Sequence, residues 1–250
     1  MNTNALQQEL EKTQQQLQEL REEYAQYAYI VSHDLRAPMR QMASFAELLR
    51  IRNQDTLDED SLRFLDHILK SATKGQKLIE VLLDYSRIQT SDAPRGKLAL
   101  STCLNDACDQ LREQHLMPDN ATIESTALPA LQGNASQLTR LCFELCRNAL
   151  TYQPEGNTPK VQIDCESDAA QHTLLFTDNG TGIPAAQHTK IFKPLQRGGK
   201  HDDIDGYGMG LCFADAIARA HGGSVSLRDS NESGSTFAVT LPITAQTNAD

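Results

Sequence analysis

A histidine beside an aspartate is the first pair of residues in this chain that could do chemistry. His33 and Asp34 lie in the stretch Ser32-His-Asp-Leu-Arg-Ala-Pro38, within a pattern that predicts a helix. A neutral imidazole is a nucleophile. A neighbouring carboxylate can accept a hydrogen bond from the N–H of the ring nitrogen that does not attack, and it can stabilise positive charge on the ring. Alone, such a pair is more often part of a solvated surface. The interpretation of His33 as a nucleophile that accepts a phosphoryl group therefore depends on a phosphate donor site elsewhere in the chain.

A first glycine-rich stretch supports such a donor site. Asp178-Asn-Gly-Thr-Gly182 follows a predicted strand that ends at Thr177. Asp178 could accept a hydrogen bond from an adenine amino group, and Gly180 and Gly182 would let the backbone come close to a ligand. A plain β-turn is the simpler interpretation of this stretch taken alone.

A second glycine-rich stretch, Gly206-x-Gly208-x-Gly210-Leu211, opens a predicted helix. The N–H groups and the dipole at a helix N-terminus can bind phosphate. A glycine-rich loop before a helix is weak evidence by itself.

A predicted helix lies between His33 and the first glycine-rich stretch. It places four residues at spacings of i, i+4, i+7 and i+8: Glu144, Asn148, Thr151 and Tyr152. These residues share one helical face, which can line a pocket. An ordinary amphipathic core helix explains the same pattern.

The order of these motifs resembles the catalytic core of two-component sensor histidine kinases over roughly residues 25 to 243. The helix at 143–152 resembles the N-box, residues 191–197 the F-box, and the two glycine-rich stretches the glycine boxes of that family. His221-Gly-Gly223 and Gly234-Ser-Thr-Phe237 follow in the family's order. The ATP-binding fold of this family is shared with gyrase and MutL.

The resemblance implies a role for each site residue. His33 would be phosphorylated and Asp34 would orient it, while Asn148 would hold Mg²⁺ and Glu144 would order a metal-bound water. Arg197 or Lys200 could neutralise the terminal phosphate from a lid between Phe192 and Gly206, although both could equally be solvated lid charges. The implied nucleotide-binding residues are Asn148, Tyr152, Asp178, Gly180, Gly182, Arg197, Gly206, Gly208, Gly210, Leu211 and Thr236.

Two positions depart from the family pattern. Thr151 stands where the N-box often has Lys, which predicts weaker phosphate binding and a modest catalytic rate unless Arg147 or a lid residue compensates. Ala37 stands four residues after the histidine, where bifunctional members carry Thr or Asn. We therefore expect weak phosphatase activity towards a phosphorylated regulator.

The first ninety residues carry helical periodicity. Apolar residues in steps of three and four predict a coiled coil over residues 1–28 and a helical hairpin over residues 29–90 with a loop near 53–60. The hairpin would form a four-helix bundle in a homodimer. A helix packed on its own domain is the alternative to the coiled coil. Val31 occupies one of the apolar heptad positions that face the partner helix. His33 falls two residues later and should therefore project outward.

Beyond a predicted hinge at residues 90–97, the pattern predicts an ATP-binding domain over residues 98–243. Helices are expected at about 101–115 and 135–152, and strands at 161–165, 173–177, 224–227 and 236–241. Strands mixed with helices in this order indicate an α/β sandwich. The fold class of the whole chain is therefore α+β.

Composition narrows the partners and the compartment. A net charge of −10 argues against nucleic-acid binding. No apolar run approaches 18 residues and no signal peptide is evident, which predicts no membrane span. The six cysteines form no CxxC pair, which predicts that they pack in the core rather than bind a metal. The same cysteine pattern fits a protein of the reducing cytoplasm. The chain would be cytoplasmic, either by itself or as the cytoplasmic part of a larger receptor.

These features together predict a histidine kinase core. It would phosphorylate His33 from Mg·ATP and pass the phosphoryl group to an aspartate in the receiver domain of a separate response regulator, under a missing or separate sensor module. A non-catalytic dimeric adaptor and an ATP-driven conformational switch of the gyrase type are the alternatives. Acid-labile protein phosphate would distinguish the kinase from both.

Overall fold

The computed structural model describes residues 3–90, 94–194 and 208–243, and the chain divides into two compact units, residues 1–91 and 92–250. The first unit is a hairpin of two long helices, α1 (Thr3–Asn53) and α2 (Glu59–Thr90). Helix α1 continues without a break across residue 28, so the predicted coiled coil and hairpin share one helix. No helix in the described ranges is long and apolar enough to cross a membrane.

The predicted hairpin loop is confirmed and is short. Helix α2 begins after Asp58, whose carboxylate accepts the Ser61 backbone N–H at 2.7 Å. This is an N-cap contact, which satisfies one of the free N–H groups at a helix start. The hydrogen bonds from Ser61 lower the pKa of Asp58.

Packing within the hairpin leaves much apolar surface uncovered. Ala46, Ala72, Ile79 and Leu83 are buried between the helices. Large apolar side chains remain exposed along both helices: Leu10, Leu20, Tyr24, Tyr27, Leu35, Met42, Phe45, Leu49, Ile51, Phe64 and Ile68. Apolar stripes of this extent on a helix are typical of surfaces that a partner covers.

The second unit is an α/β sandwich, as the pattern predicted. Its elements are β1 (Gly96–Ala99), α3 (Leu100–Glu113), β2 (Thr122–Ser125), β3 (Ala130–Gly133), α4 (Ala135–Thr151), β4 (Lys160–Ser167), β5 (Gln171–Asp178), a short 3₁₀ helix (Ala185–Gln187), α5 (Gly210–Ala220), β6 (Ser224–Asn231) and β7 (Gly234–Pro242). The main sheet has the order β2-β4-β5-β7-β6 and is antiparallel except for the β2–β4 pair.

Strand β1 corrects one predicted boundary. Gly96 and Lys97 were expected in the hinge, but they pair with Gly133 and Gln132 of β3 in a separate two-stranded sheet. Four-residue strands are too short to produce a convincing alternation of polar and apolar residues, which explains why β1, β2 and β3 escaped prediction.

The core of this unit lies between one face of the main sheet and helices α3, α4 and α5. Leu141 and Leu145 of α4, Ile217 of α5, and Ile163 and Val239 of the sheet are almost completely buried. Alternate strand residues such as Gln162 and Thr173 point to the other, more exposed face. This layer arrangement fixes α4 and α5 side by side above the strands.

All six cysteines lie in the second unit; five of them are buried, in agreement with the predicted core packing, and Cys165 is half-buried. All six are free thiols, and Cys103, Cys108, Cys142 and Cys146 are buried in α3 and α4. Burial raises the pKa of the Cys142 and Cys146 thiols well above the usual value, so these side chains stay protonated and pack as small apolar groups.

Candidate active site

A cavity of about 250 Å³ lies in the second unit, lined by helix α4, the segment after β5, the start of α5 and strand β7. It brings together seven of the predicted nucleotide-binding residues. Its lining consists of Asn148, Tyr152, Asp178, Thr181, Gly182, Ile183, Pro184, Gln187, Ile191, Gly208, Gly210, Leu211, Ser235 and Phe237. Apolar walls with a few polar groups are typical of ligand pockets.

Asp178 provides a carboxylate on the cavity wall at the end of β5. Its Oδ1 accepts backbone N–H groups from Gly180 at 2.8 Å and Ser235 at 3.2 Å. Both of these hydrogen bonds use Oδ1, which leaves Oδ2 for a ligand donor. Burial raises the pKa of this carboxyl, and the two N–H bonds oppose the shift.

The first glycine-rich stretch packs against two other segments, which a free-standing β-turn would not do. A Cβ on Gly180 would lie 2.3 Å from the Tyr152 carbonyl oxygen at the end of α4. Gly182 has a φ of +67°, and its Cβ would lie 1.9 Å from the Asn231 carbonyl oxygen. The Thr181 N–H also donates to the Tyr152 carbonyl at 3.0 Å. Only glycine allows this close approach.

Helix α4 places Asn148 and Tyr152 on the cavity wall, but not the other two residues of the predicted face. Its start is fixed by Asn134, whose side chain accepts the Gln137 N–H at 3.0 Å. The Thr151 hydroxyl donates back to the Arg147 carbonyl at 2.6 Å and does not line the cavity.

Glu144 also lies behind the wall rather than on it. Its side chain is 1% exposed and is ion-paired with Arg140 and Arg147, each at 2.6 Å. A helical spacing of four residues is only an approximate guide to direction, and the two arginines decide where this carboxylate lies.

The start of helix α5 forms another side of the cavity. Gly208 has a φ of +65°, and Gly210 is the first helical residue. A Cβ on Gly210 would lie 3.0 to 3.3 Å from atoms of Glu144, Arg147 and Asn148, so glycine brings α5 close to α4. The first turn of α5 has neither an acidic residue nor a side-chain cap, which leaves its N–H groups available to an anion.

Strand β7 contributes two cavity residues that the sequence analysis missed, Ser235 and Phe237. The predicted residue, Thr236, lies between them and does not line the cavity. Its hydroxyl is 3.0 Å from that of Thr177 in the neighbouring strand. Period-two alternation could have found this, because an inward Phe237 implies an inward Ser235.

Arg197, Lys200 and Gly206 lie outside the described residues, as does most of the predicted lid between Phe192 and Gly206. Their predicted roles stay predictions.

The phosphoacceptor candidate lies on α1 in the first unit. His33 and Asp34 are exposed, with side-chain fractions of 69% and 74%, so His33 projects outward as predicted. His33 Nδ1 is 3.2 Å from Asp34 Oδ1, and the imidazole stacks on the Tyr29 ring with centroids 6.4 Å apart. If Nδ1 carries the proton, Nε2 is the nucleophilic nitrogen.

Comparisons with known proteins agree with both units. Residues 23–91 match the family described as His Kinase A (phospho-acceptor) domain. Residues 133–245 match the family described as Histidine kinase-, DNA gyrase B-, and HSP90-like ATPase. Together the two matches cover most of the chain.

Curated relatives extend over nearly the whole chain but are much longer. Cyanobacterial phytochrome A of Nostoc sp. is 30% identical over 235 residues, which are 94% of this chain and 30% of that protein. Sensor protein KdpD of Escherichia coli is 30% identical over 216 residues, 85% of this chain and 24% of that protein. This chain thus spans less than a third of either relative.

Solved structures show the same fold. Full-length ShkA, crystallised with AMPPNP, has a TM-score of 0.61 at 17% identity over 88% of this chain and 46% of its own. The Acinetobacter baumannii histidine kinase AdeS has a TM-score of 0.55 at 18% identity over 84% of this chain and 98% of its own.

Proposed function

We propose that this chain, which belongs to the two-component sensor histidine kinases and carries their catalytic core, transfers the γ-phosphoryl group of ATP to His33. The observation that carries the proposal is the cavity in which Asp178, Asn148 and the start of α5 surround one space. These groups complement the adenine and phosphate ends of one nucleotide. An exposed imidazole with a carboxylate beside it supplies the acceptor.

At the adenine end, Asp178 would accept the amino group of the base through Oδ2. Its Oδ1 is already engaged by two backbone N–H groups, so the carboxylate is held in one orientation before the ligand arrives. Tyr152, Ile183 and Phe237 offer apolar surface to the rest of the ring. A preorganised polar group in an apolar pocket gives selectivity for a base with an amino group.

At the phosphate end, the N–H groups of α5 and the Asn148 amide would meet the anion. The Asn148 side-chain oxygen at this end suits Mg²⁺, which prefers oxygen ligands and usually completes its shell with water and phosphate oxygens. The donor set therefore fits the ion, and when bound Mg²⁺ would neutralise phosphate charge. Glu144 is already balanced by two arginines, so we assign the metal to Asn148 alone.

At the acceptor, Asp34 would fix the proton on His33 Nδ1 and leave Nε2 to attack. A bond forms between Nε2 and the γ-phosphorus while the bond to the β,γ-bridging oxygen breaks, and ADP leaves. The imidazole gains positive charge as the bond forms, and the adjacent carboxylate stabilises it. The proton stays on Nδ1, so no separate base is needed.

The partners follow from the exposed surfaces and the chemistry. The apolar stripes on α1 and α2 support a homodimer that forms a four-helix bundle. A phosphohistidine is a high-energy donor, which suits transfer to an aspartate of a response regulator. Because the relatives are far longer than this chain, a separate or additional sensor module is part of the proposal.

The decisive experiment is labelling with γ-phosphate from Mg·ATP. We expect label that is stable to alkali and labile to acid, and its complete loss in His33→Gln. His67→Gln is the matched control, because His67 is also an exposed histidine of the hairpin, and it should keep the label. ATP turnover without protein label would instead favour a conformational switch, and no ATP binding at all would favour an adaptor.

A further inference from the structure

Two arginines of helix α4 share one buried carboxylate beside the cavity. Glu144 Oε1 accepts a hydrogen bond from Arg140 Nε at 2.6 Å. Oε2 lies 2.6 Å from Arg147 Nη2, but the geometry is that of an ion pair, and this oxygen has no hydrogen bond among the described residues. Arginine is always charged, so one carboxylate leaves the cluster with a net positive charge.

The two arginines differ in their surroundings. Both guanidinium groups lie over a phenylalanine ring, Arg140 at 4.7 Å from the Phe213 centroid and Arg147 at 5.7 Å from the Phe143 centroid. The Arg147 guanidinium lies at the start of α5, because a Cβ on Gly210 would be 3.2 Å from its Nη2 and 3.3 Å from Asn148 Oδ1. Gly210 and Asn148 both line the cavity. Arg147 is not itself a lining residue, but its guanidinium lies beside Gly210 at the end proposed for the phosphates.

We propose that Arg147 binds the phosphate chain of the nucleotide and that Glu144 positions its guanidinium for this contact. The inference rests on the proposed function, because it requires ATP in this cavity. The Arg147 side chain is 31% exposed, which leaves it access to an anion while its ion pair with Glu144 holds it at the start of α5. A guanidinium binds phosphate oxygens in a fork, with strong charge-assisted hydrogen bonds.

The neighbouring residues support this assignment. Thr151 cannot contribute a cation, and its hydroxyl is engaged by the Arg147 carbonyl. Glu144 is shared with Arg140, so it does not fully neutralise Arg147. The first turn of α5 supplies N–H groups but no side-chain charge. Among the residues that the structure describes, Arg147 is therefore the cation beside this end of the cavity.

The test is calorimetric titration of the full chain with Mg·ATP, Mg·ADP and AMP. In Arg147→Gln we expect ATP binding to weaken about tenfold or more, ADP binding to weaken less, and AMP binding to change less than about twofold. Arg147→Lys keeps the charge without the fork, so its ATP affinity should fall between the two. An Arg147→Gln chain that binds ATP as tightly as wild type would overturn the proposal.

Arg140→Gln is the matched control, because it removes the other partner of the same carboxylate. We expect this variant to keep the wild-type preference for ATP over AMP. If Arg147→Gln lowers ATP and AMP affinity equally, Arg147 acts only on folding and the proposal is wrong. If Arg147→Gln does not fold, the same comparison in Arg147→Lys decides. A wild-type chain that binds none of the three nucleotides would instead refute the proposed function itself.

Discussion

The two units of this chain prepare their chemistry in different ways. In the hairpin, the proposed acceptor His33 and its neighbour Asp34 are about seven-tenths exposed, and the imidazole stacks on the Tyr29 ring. In the sandwich, Asp178 is fixed by two backbone N–H groups inside a cavity. The proposed donor site is shaped by hydrogen bonds within the protein, whereas the proposed acceptor is a side chain presented to solvent.

This difference has a physical reason. An adenine nucleotide must be selected from similar molecules, which requires preorganised polar groups in a desolvated pocket. A phosphoacceptor that serves both a nucleotide and a partner protein must instead remain accessible to each. We therefore expect substitutions in the sandwich to change nucleotide affinity or folding, and substitutions at the acceptor to change only the transfer step.

Paired glycine substitutions should show the largest contrast between the units. Gly182→Ala places a Cβ 1.9 Å from a backbone oxygen at a φ of +67°, and we expect it to lower the free energy of unfolding by about 3 kcal/mol. Gly75→Ala on α2 meets only the flexible Met39 side chain, at 3.0 Å. It should be neutral or stabilising by about 0.5 kcal/mol, because alanine favours a helix. Thermal or urea denaturation measures both.

Gly156→Ala is a control for the backbone term. Gly156 also has a positive φ, +77°, but a Cβ there would meet nothing within 4 Å. We expect a loss of only about 1 kcal/mol from the left-handed conformation. Equal losses at Gly156 and Gly182 would show that the close approach to Asn231 does not matter.

Asp178→Asn should weaken ATP binding about 30-fold, because an amide cannot replace a carboxylate that accepts both the backbone and the base. Calorimetry on the purified variant measures this. His33→Gln should bind ATP as tightly as wild type, since it lies in the other unit. An unchanged ATP affinity in Asp178→Asn would remove the adenine role proposed for this residue.

Asp34→Asn should slow the labelling of His33 about tenfold and leave ATP affinity unchanged. The amide can still orient the ring but cannot stabilise the imidazolium charge. Single-turnover labelling at saturating Mg·ATP separates the transfer step from binding. A fall in ATP affinity would contradict the division of roles between the two units.

The sequence predicted the long elements better than the short ones. Heptad spacing over dozens of residues identified α1 and α2, and order along the chain identified the glycine-rich segments that line the cavity. The three four-residue strands left no usable pattern. Within the site, Asp178, Asn148 and Tyr152 follow from motif position, and the structure brings them together.

Other site residues could not be predicted, because spacing along a helix or strand is only an approximate guide to where a side chain points. Glu144 shares a helical face with Asn148 by spacing, but its two arginines hold it behind the cavity wall. Thr236 and Ser235 differ only in which face of β7 they occupy, and a one-residue error exchanges the faces.

A buried histidine should make the stability of the sandwich sensitive to acid. His221 is 5% exposed, its Nε2 accepts the Asn134 N–H at 3.0 Å, and its Nδ1 donates to the Ile217 carbonyl at 2.8 Å. Burial lowers its pKa from the ordinary 6.5, the nearby Arg95 adds to this, and the Ile217 bond opposes it.

Because the folded state binds the proton more weakly than the unfolded chain, the contribution of His221 to stability is complete above pH 6.5 and is lost as the pH falls below that value. Asp178 acts in the opposite sense, since its pKa is raised and protonation favours the folded state.

We expect the melting temperature of the full chain to fall between pH 7.5 and pH 5.5, and the fall to be smaller in His221→Gln, which has no imidazole to protonate. His33→Gln should keep the wild-type pH dependence, because the His33 side chain is exposed and lies in the other unit. An identical fall in wild type and His221→Gln would mean that other groups cause the acid sensitivity.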